Sequence, residues 1–196
     1  MSTTATIKCA PLESRDWPAL ERLFGARGAC GGCWCMLWRA SYGGERFDAD
    51  KGAVNRQEFR TLVMQGNAHG CLAWEGSEAV GWVSAGSRES FPYFERSRAL
   101  APLPGEGVWS VTCFFVPSAK RGAGVASALL RAAVELARDR GARIVEGYPV
   151  VPKRRAAMPA AFAWTGVPAL FDAAGFTAQK HPSGRLIYRL KIGSRR

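Results

Sequence analysis

The chain has 196 residues, 47% of them apolar and 22% charged, with 27 Lys and Arg against 16 Asp and Glu and a net charge of +11. That balance excludes a disordered tail and a collagen-like repeat, and the length predicts one domain with a true core. Residues 1–119 carry 12 basic and 12 acidic side chains while residues 120–196 carry 15 and 4, so the whole excess lies late in the chain. Such asymmetry points to an anionic partner there: nucleic acid, a membrane surface or a phosphate-bearing ligand.

Residues 5–10, ATIKCA, alternate as a short strand. Ser14 is the predicted cap of a helix that carries Trp17, Leu20, Leu23 and Phe24 at helical spacing and stops at Gly25. Residues 25–52, rich in Gly, Cys and aromatic side chains, read as irregular. Asn55 to Gln65 reads as a second helix with Phe59, Leu62 and Val63 on one face. The period then drops to two. GCLAWEGSEAVGWVSAG reads as two strands joined by Glu75-Gly76-Ser77-Glu78, a hairpin signal. Residues 88–106 form a polar, Pro-containing connection. VWSVTCFFV, residues 108–116, is a nearly continuous run of β-formers and predicts a central strand buried on both faces.

A basic turn, SAKRGAG, follows Pro117 and leads into the clearest helix of the chain, over residues 123–140. Its stripe is Ala126, Leu129, Leu130, Ala133, Val134 and Ala137, and Gly141 stops it. RIVEGYPV is the next strand, parallel to the one before because a helix connects them. Residues 152–160 form a basic, Pro-bounded loop, Thr165 to Ala174 a helix closed by Gly175, and RLIYRLKI a terminal strand. The order predicts an α/β fold with a mixed central sheet of six to seven strands and helices on both faces.

The N-terminus lacks an apolar signal region, and no apolar run approaches the roughly 18–20 residues a bilayer span needs. The expected location is the cytoplasm, with no membrane partner. Six cysteines are then expected as thiols. Cys30, Cys33 and Cys35 form one tight cluster, CGGCWC, without a second pair, so buried small side chains are favoured over a zinc site and no metal is expected.

The segment richest in chemistry is VTCFFVPSAKRGAGVASALL. Gly122 and Gly124 permit a tight turn, and the helix behind them offers unpaired N–H groups and a positive dipole end. Arg121 adds a full charge. Together these form a cradle for a pyrophosphate. A Walker A loop is excluded because no G-K-[ST] follows. A dinucleotide fingerprint fits poorly: Ser127 stands at the third small position, and five residues separate the strand from Gly122.

The stretch Arg121-Gly-Ala-Gly-Val-Ala126 behind Val116 resembles the acetyl-coenzyme A motif of the GNAT superfamily of N-acetyltransferases, Arg/Gln-x-x-Gly-x-Gly/Ala. The likeness extends over nearly the whole chain, and CGGCWC, VWSVTCFFV and VEGYPV look like one bacterial branch. It implies a single N-acetyltransferase domain over 1–196: 1–106 acceptor-side elements, 107–150 a coenzyme-binding strand–helix–strand, and 151–196 a helix and strand pair. It implies acetyl-coenzyme A as co-substrate, its pyrophosphate on the amides of Arg121, Gly122, Ala123, Gly124, Val125 and Ala126. The pantetheine arm would run along Phe114, Phe115 and Val116, where one N–H polarises the thioester carbonyl.

Two residues of the family pattern are missing. The usual tyrosine, the acid for the departing thiolate, is Phe171 here, flanking the coenzyme, and no acidic residue stands early in the central strand, at Trp109 and Ser110. Glu146 and Tyr148 share a face by alternation and are the expected base and acid, with a salt-bridged Glu and a packing Tyr as the plain alternative. Trp34 and Trp38, with Trp82 and Phe91, are candidate walls of an acceptor pocket, weighed equally with core packing. Ser110, as a substrate-side residue, and Cys113 are weaker candidates for lining the site. The expected acceptor is a small primary amine attacking directly, and a homodimer is compatible with the sequence. Two rivals stand beside this: a degenerate acyl-coenzyme A sensor, and a nucleic-acid-binding protein using Lys153-Arg154-Arg155 and the tail from Lys191 to Arg196. Nucleic acid is disfavoured, since no finger, RNA-recognition motif or helix-turn-helix is present.

Overall fold

The first strand, β1 (Ile7–Pro11), leads to a helix that starts later than the sequence suggested. With Ser14 as cap, Pro18 would be the fourth helical residue, the first whose N–H the helix needs. Ser14–Asp16 instead makes a single 3-10 turn in which the Asp16 carboxylate accepts from the Glu13 N–H at 2.9 Å. α1 is Trp17–Phe24, with Pro18 in its first turn. The fold is described from a computed structural model covering residues 6–151 and 164–193.

The stretch expected to be irregular holds two short helices, α2 (Met36–Arg39) and α3 (Gly44–Ala49). Trp34 and Cys35 enter α2 with φ of 47° and 56°. Left-handed residues in succession erase the periodicity that would have announced the helix. α4 is Ala53–Met64, and the hairpin follows as β2 (Gly70–Glu75) and β3 (Glu78–Ser87). The connection over 88–106 contains α5 (Tyr93–Arg96). Then come β4 (Val108–Phe115), α6 (Val125–Asp139) and β5 (Ile144–Gly147). α7 is only Pro168–Asp172, because Val167 before the proline is held extended (φ −120°, ψ 153°). β6 (Thr177–Lys180) and β7 (Leu186–Lys191) end the described chain. The basic loop 152–160 and the last three residues of the tail lie outside the described residues.

The strands form one seven-stranded sheet in the order β1-β2-β3-β4-β5-β7-β6. β4 and β5 run parallel and the other neighbours antiparallel. Alternation sorts the core. Cys71, Ala73 and Val83 pack with the α6 stripe of Leu129, Leu130, Ala133 and Ala137, while Leu72 and Trp82 face α1 and α4 through Leu20, Phe24 and Phe59. Helices thus cover both faces. A third cluster, Trp38, Phe91, Phe94, Leu100, Tyr148 and Ile187, seats the 88–106 connection against the β5–β7 end of the sheet. Among the described residues no helix is long and apolar enough to cross a membrane.

Candidate active site

The site lies where the parallel pair comes apart. β4 and β5 are paired from Val108 with Ile144 to Val111 with Gly147, and there β5 ends while β4 runs on to Phe115. Across β4, Ala85 faces Val111 but Ser84 faces Cys113, so a bulge skips Thr112 and bends the strand end. Phe171 is fully buried and fills the gap. A Cβ on Gly147 would lie 2.1 Å from its ring, so only glycine fits there. The Phe171 ring also packs on Phe114, Phe176 and Tyr188. The position read as flanking the coenzyme is therefore sealed into the core by its own neighbours.

From the open end of β4 the chain passes through a 3-10 turn at Ser118–Lys120 and the exposed stretch Arg121–Gly124 into α6. Gly122 and Gly124 have φ of 79° and 77°, and a Cβ on either would meet nothing within 4 Å. Glycine is required by the backbone, and the space beside it is open. The N-terminal amides of a 15-residue helix face that space with their dipole. Arg121 Nε donates to the Val116 carbonyl at 3.0 Å, which folds the side chain back onto the strand end. Lys120 is ion-paired with Glu75. Open glycine backbone, a helix N-terminus and a nearby guanidinium suit an anionic group such as a pyrophosphate.

Glu146 and Tyr148 do share a face, and they meet in a closed network. Glu146 is 1% exposed. Its Oε2 accepts from Tyr148 Oη at 2.7 Å and Arg88 Nη1 at 3.1 Å. Its Oε1 lies 2.9 Å from Arg189 Nε, close enough for an ion pair but not aligned for a hydrogen bond. Arg88 Nη1 also donates to Tyr148 Oη at 3.0 Å, and Ser110 Oγ is 2.8 Å from the same oxygen. The two guanidiniums reach on to the connection, Arg88 to the Leu100 carbonyl and Arg189 Nη1 to the Pro104 carbonyl at 3.0 Å. Burial first, and then the Glu146 charge, push the Tyr148 phenol well above its ordinary range. Tyr148 is a held proton. Glu146, 1% exposed and held between Arg88, Tyr148 and Arg189, is shielded from an incoming amine.

Arg88 and Arg189 were not found from the sequence. The signal was there: an acid inside the apolar strand RIVEGYPV and an arginine at an inward register of RLIYRLKI each demand a buried partner.

The three tryptophans expected to wall one pocket separate. Trp34 precedes α2 in a left-handed conformation, so it points away from Trp38. Trp34 and Trp82 pack with Trp17, Phe24 and Phe59, and the fully buried Trp82 donates its Nε1–H to Cys35 Sγ at 3.2 Å. Trp38 lies beside Tyr148, ring centroids 5.9 Å apart, with Phe94 at 5.2 Å, Tyr93 at 4.5 Å and Phe91 in the same cluster. Its buried Nε1–H has no acceptor. Of the cysteine cluster, Cys30 is exposed, Cys33 half-buried and Cys35 buried. The Cys113 thiol donates to the Phe114 carbonyl at 3.8 Å; its proximity to Cys35 holds Cys35 below its ordinary range, and the same proximity together with burial pushes Cys113 up. No group of metal-ligating side chains converges among the described residues. A cavity of about 650 Å³ lies under the connection, lined by Phe91, Phe94 and Leu103 with charged residues of both signs, Arg88, Arg98, Glu89, Glu95 and Glu106.

Comparison with known proteins places this geometry. A family model described as "Acetyltransferase (GNAT) family" matches residues 34–160. Solved structures with the same fold include the GNAT domain of a PAT protein from S. lividans, 18% identical, covering 95% of this chain and 90% of that one at a TM-score of 0.57. The PaiA N-acetyltransferase of Thermoplasma acidophilum, solved with coenzyme A, is 13% identical over 95% and 99% of the two chains at 0.54. YncA from Salmonella typhimurium, a putative acetyltransferase solved with acetyl-CoA, is 15% identical over 96% and 95% at 0.54. No curated protein sequence matches the chain.

Proposed function

Because the chain belongs to the acetyltransferase (GNAT) family, we propose that it transfers an acetyl group from acetyl-coenzyme A to a primary amine of a small molecule by direct attack. The observation that carries the reading is the parted β4–β5 pair, open beside an exposed glycine turn at the head of α6. The turn, Arg121 to Ala126, holds the pyrophosphate. The end of β4 that runs on past β5, Phe114 to Val116, receives the pantetheine arm, and a main-chain N–H there polarises the thioester carbonyl. Trp38 and Ser110 lie on the acceptor side, next to Tyr148. The cavity under the connection shares Phe91 and Phe94 with the cluster around Trp38 and Tyr148, and its volume suits a small ligand.

Tyr148, protonated and donating to Glu146, is our candidate proton source for the departing thiolate, its O–H turning from Glu146 to the sulfur as the thiolate leaves. Glu146 acts through Tyr148 as a positioning residue, and the amine loses its proton to water. The closed network also supports a second reading, an acyl-coenzyme A sensor without turnover.

Thermal stabilisation by acetyl-coenzyme A, followed by thiol release across a panel of small amines, tests both. Stabilisation with release from at least one amine is expected. Stabilisation without release from any amine selects the sensor. No stabilisation refutes the coenzyme site.

A further inference from the structure

The acetyltransferase reading needs free main-chain donors at the end of β4, and one of them is already engaged. The Phe114 N–H donates to the Trp164 carbonyl at 2.6 Å, across the gap that β5 leaves open. Side-chain packing holds Trp164–Gly166 in that place. The Trp164 indole stands edge-on to Trp38, with centroids 6.0 Å apart and planes at 62°. Gly166, at φ +85°, lies against Phe171 and Phe114, where a Cβ would come within 2.8 Å and 3.4 Å of their rings.

The same arrangement leaves two buried polar groups unsatisfied, the Trp38 Nε1–H and the hydroxyl of Thr165, which is 3% exposed. Each such group keeps the desolvation cost of a hydrogen bond not made. A closed state carrying that cost is held shut weakly.

We propose that the Trp164 carbonyl is a resident occupant of the donor groove, taking the Phe114 N–H in the free protein and yielding it to a carbonyl of the coenzyme's pantetheine arm. The inference rests on the acetyltransferase reading. One strand-edge N–H cannot serve both carbonyls in line, so coenzyme binding must lift Trp164. The apparent affinity is then reduced by the fraction of molecules in which the groove is open. Lifting Trp164 also parts its edge contact with Trp38, so the donor groove and the aromatic cluster beside Tyr148 respond together.

The test is calorimetric titration of coenzyme A into the wild-type chain and into Trp164→Ala, Trp164→Leu and Trp164→Phe. An aromatic edge contact is worth about 0.5–1.5 kcal/mol, so losing it should tighten binding roughly 2- to 12-fold. Trp164→Ala and Trp164→Leu are both expected to tighten, with Trp164→Phe close to wild type. The leucine variant keeps apolar bulk and stands in should the alanine variant fail to fold. Coenzyme binding should also change tryptophan fluorescence in the wild type by an amount largely lost in Trp164→Phe, a signature that mere packing does not produce. Equal or weaker binding by Ala and Leu overturns the proposal while leaving the coenzyme site standing. Absence of binding by every chain, wild type included, overturns both.

Discussion

Glu146→Gln is the sharpest test of the buried network. The substitution keeps the shape of the side chain and removes the anion between Arg88 and Arg189, both about 9% exposed along their side chains. One amide hydrogen then points at a guanidinium donor in place of an acceptor. Breaking a buried ion pair from one side costs about 3–5 kcal/mol, because the surviving charge stays desolvated. For a chain of this length 1 kcal/mol shifts the melting temperature by about 2–4 °C, so the loss should be on the order of 6–20 °C. Urea unfolding followed by tryptophan fluorescence should show a lower midpoint at an unchanged m-value. Adding Arg88→Met should recover part of the loss, since one of the stranded cations is gone, with a coupling of about 1–3 kcal/mol. A loss below about 1 kcal/mol from Glu146→Gln, in the range of an exposed pair, would refute the view that these three charges are sealed from water.

Further outcomes follow from the same geometry. Gly147→Ala sets a methyl group against Phe171 and should cost about 1–3 kcal/mol in urea unfolding, with partial recovery on adding Phe171→Leu; an unchanged midpoint would contradict the tight contact. Tyr148 has a raised phenol, so the folded state holds its proton longer than the unfolded state does. Stability from this group is full below about pH 10 and is lost as pH climbs beyond it, and Tyr148→Phe should flatten that decline in urea midpoints measured from about pH 9 upward. Iodoacetamide mapped by mass spectrometry should label exposed Cys30 first. Cys71, 1% exposed and pushed up to about 12 by burial, should be among the last, and early labelling there would show the α6 face opening.

Elements governed by local period were legible in the residues. The β2–β3 turn at Gly76-Ser77, the apolar run of β4, the α6 stripe and the parallel sense of β5 each follow from spacing over a few residues. The glycine turn ahead of α6 was legible because strand, two glycines and a strong helix follow one another within a few residues, and both glycines do take positive φ. Other features depended on distant partners. Arg88 and Glu146 are 58 positions apart, so neither announces the other; of the two readings of Glu146, general base or salt-bridged carboxylate, the engaged one matches its contacts with Arg88, Tyr148 and Arg189. Trp34 and Trp38 are spaced as helical neighbours, but the left-handed turn at Trp34 and Cys35 sends them into different clusters. Phe171 read as a missing acid; in space it is a wedge whose size Gly147 was shaped to admit.

The sheet is two leaves, β1 to β4 and β5 with β7 and β6, sharing a seam of four residue pairs. The seam is stapled near one end: the side chain of Arg88, at the exit of the first leaf, grips Glu146 of the second. At the other end, among the described residues, a phenyl ring and one borrowed carbonyl lie between the leaves. Such a joint yields in one direction only. Movement of the leaves is therefore felt at Phe114 and Phe115 and hardly at Val108, and amide exchange along β4 should quicken from its first residue to its last.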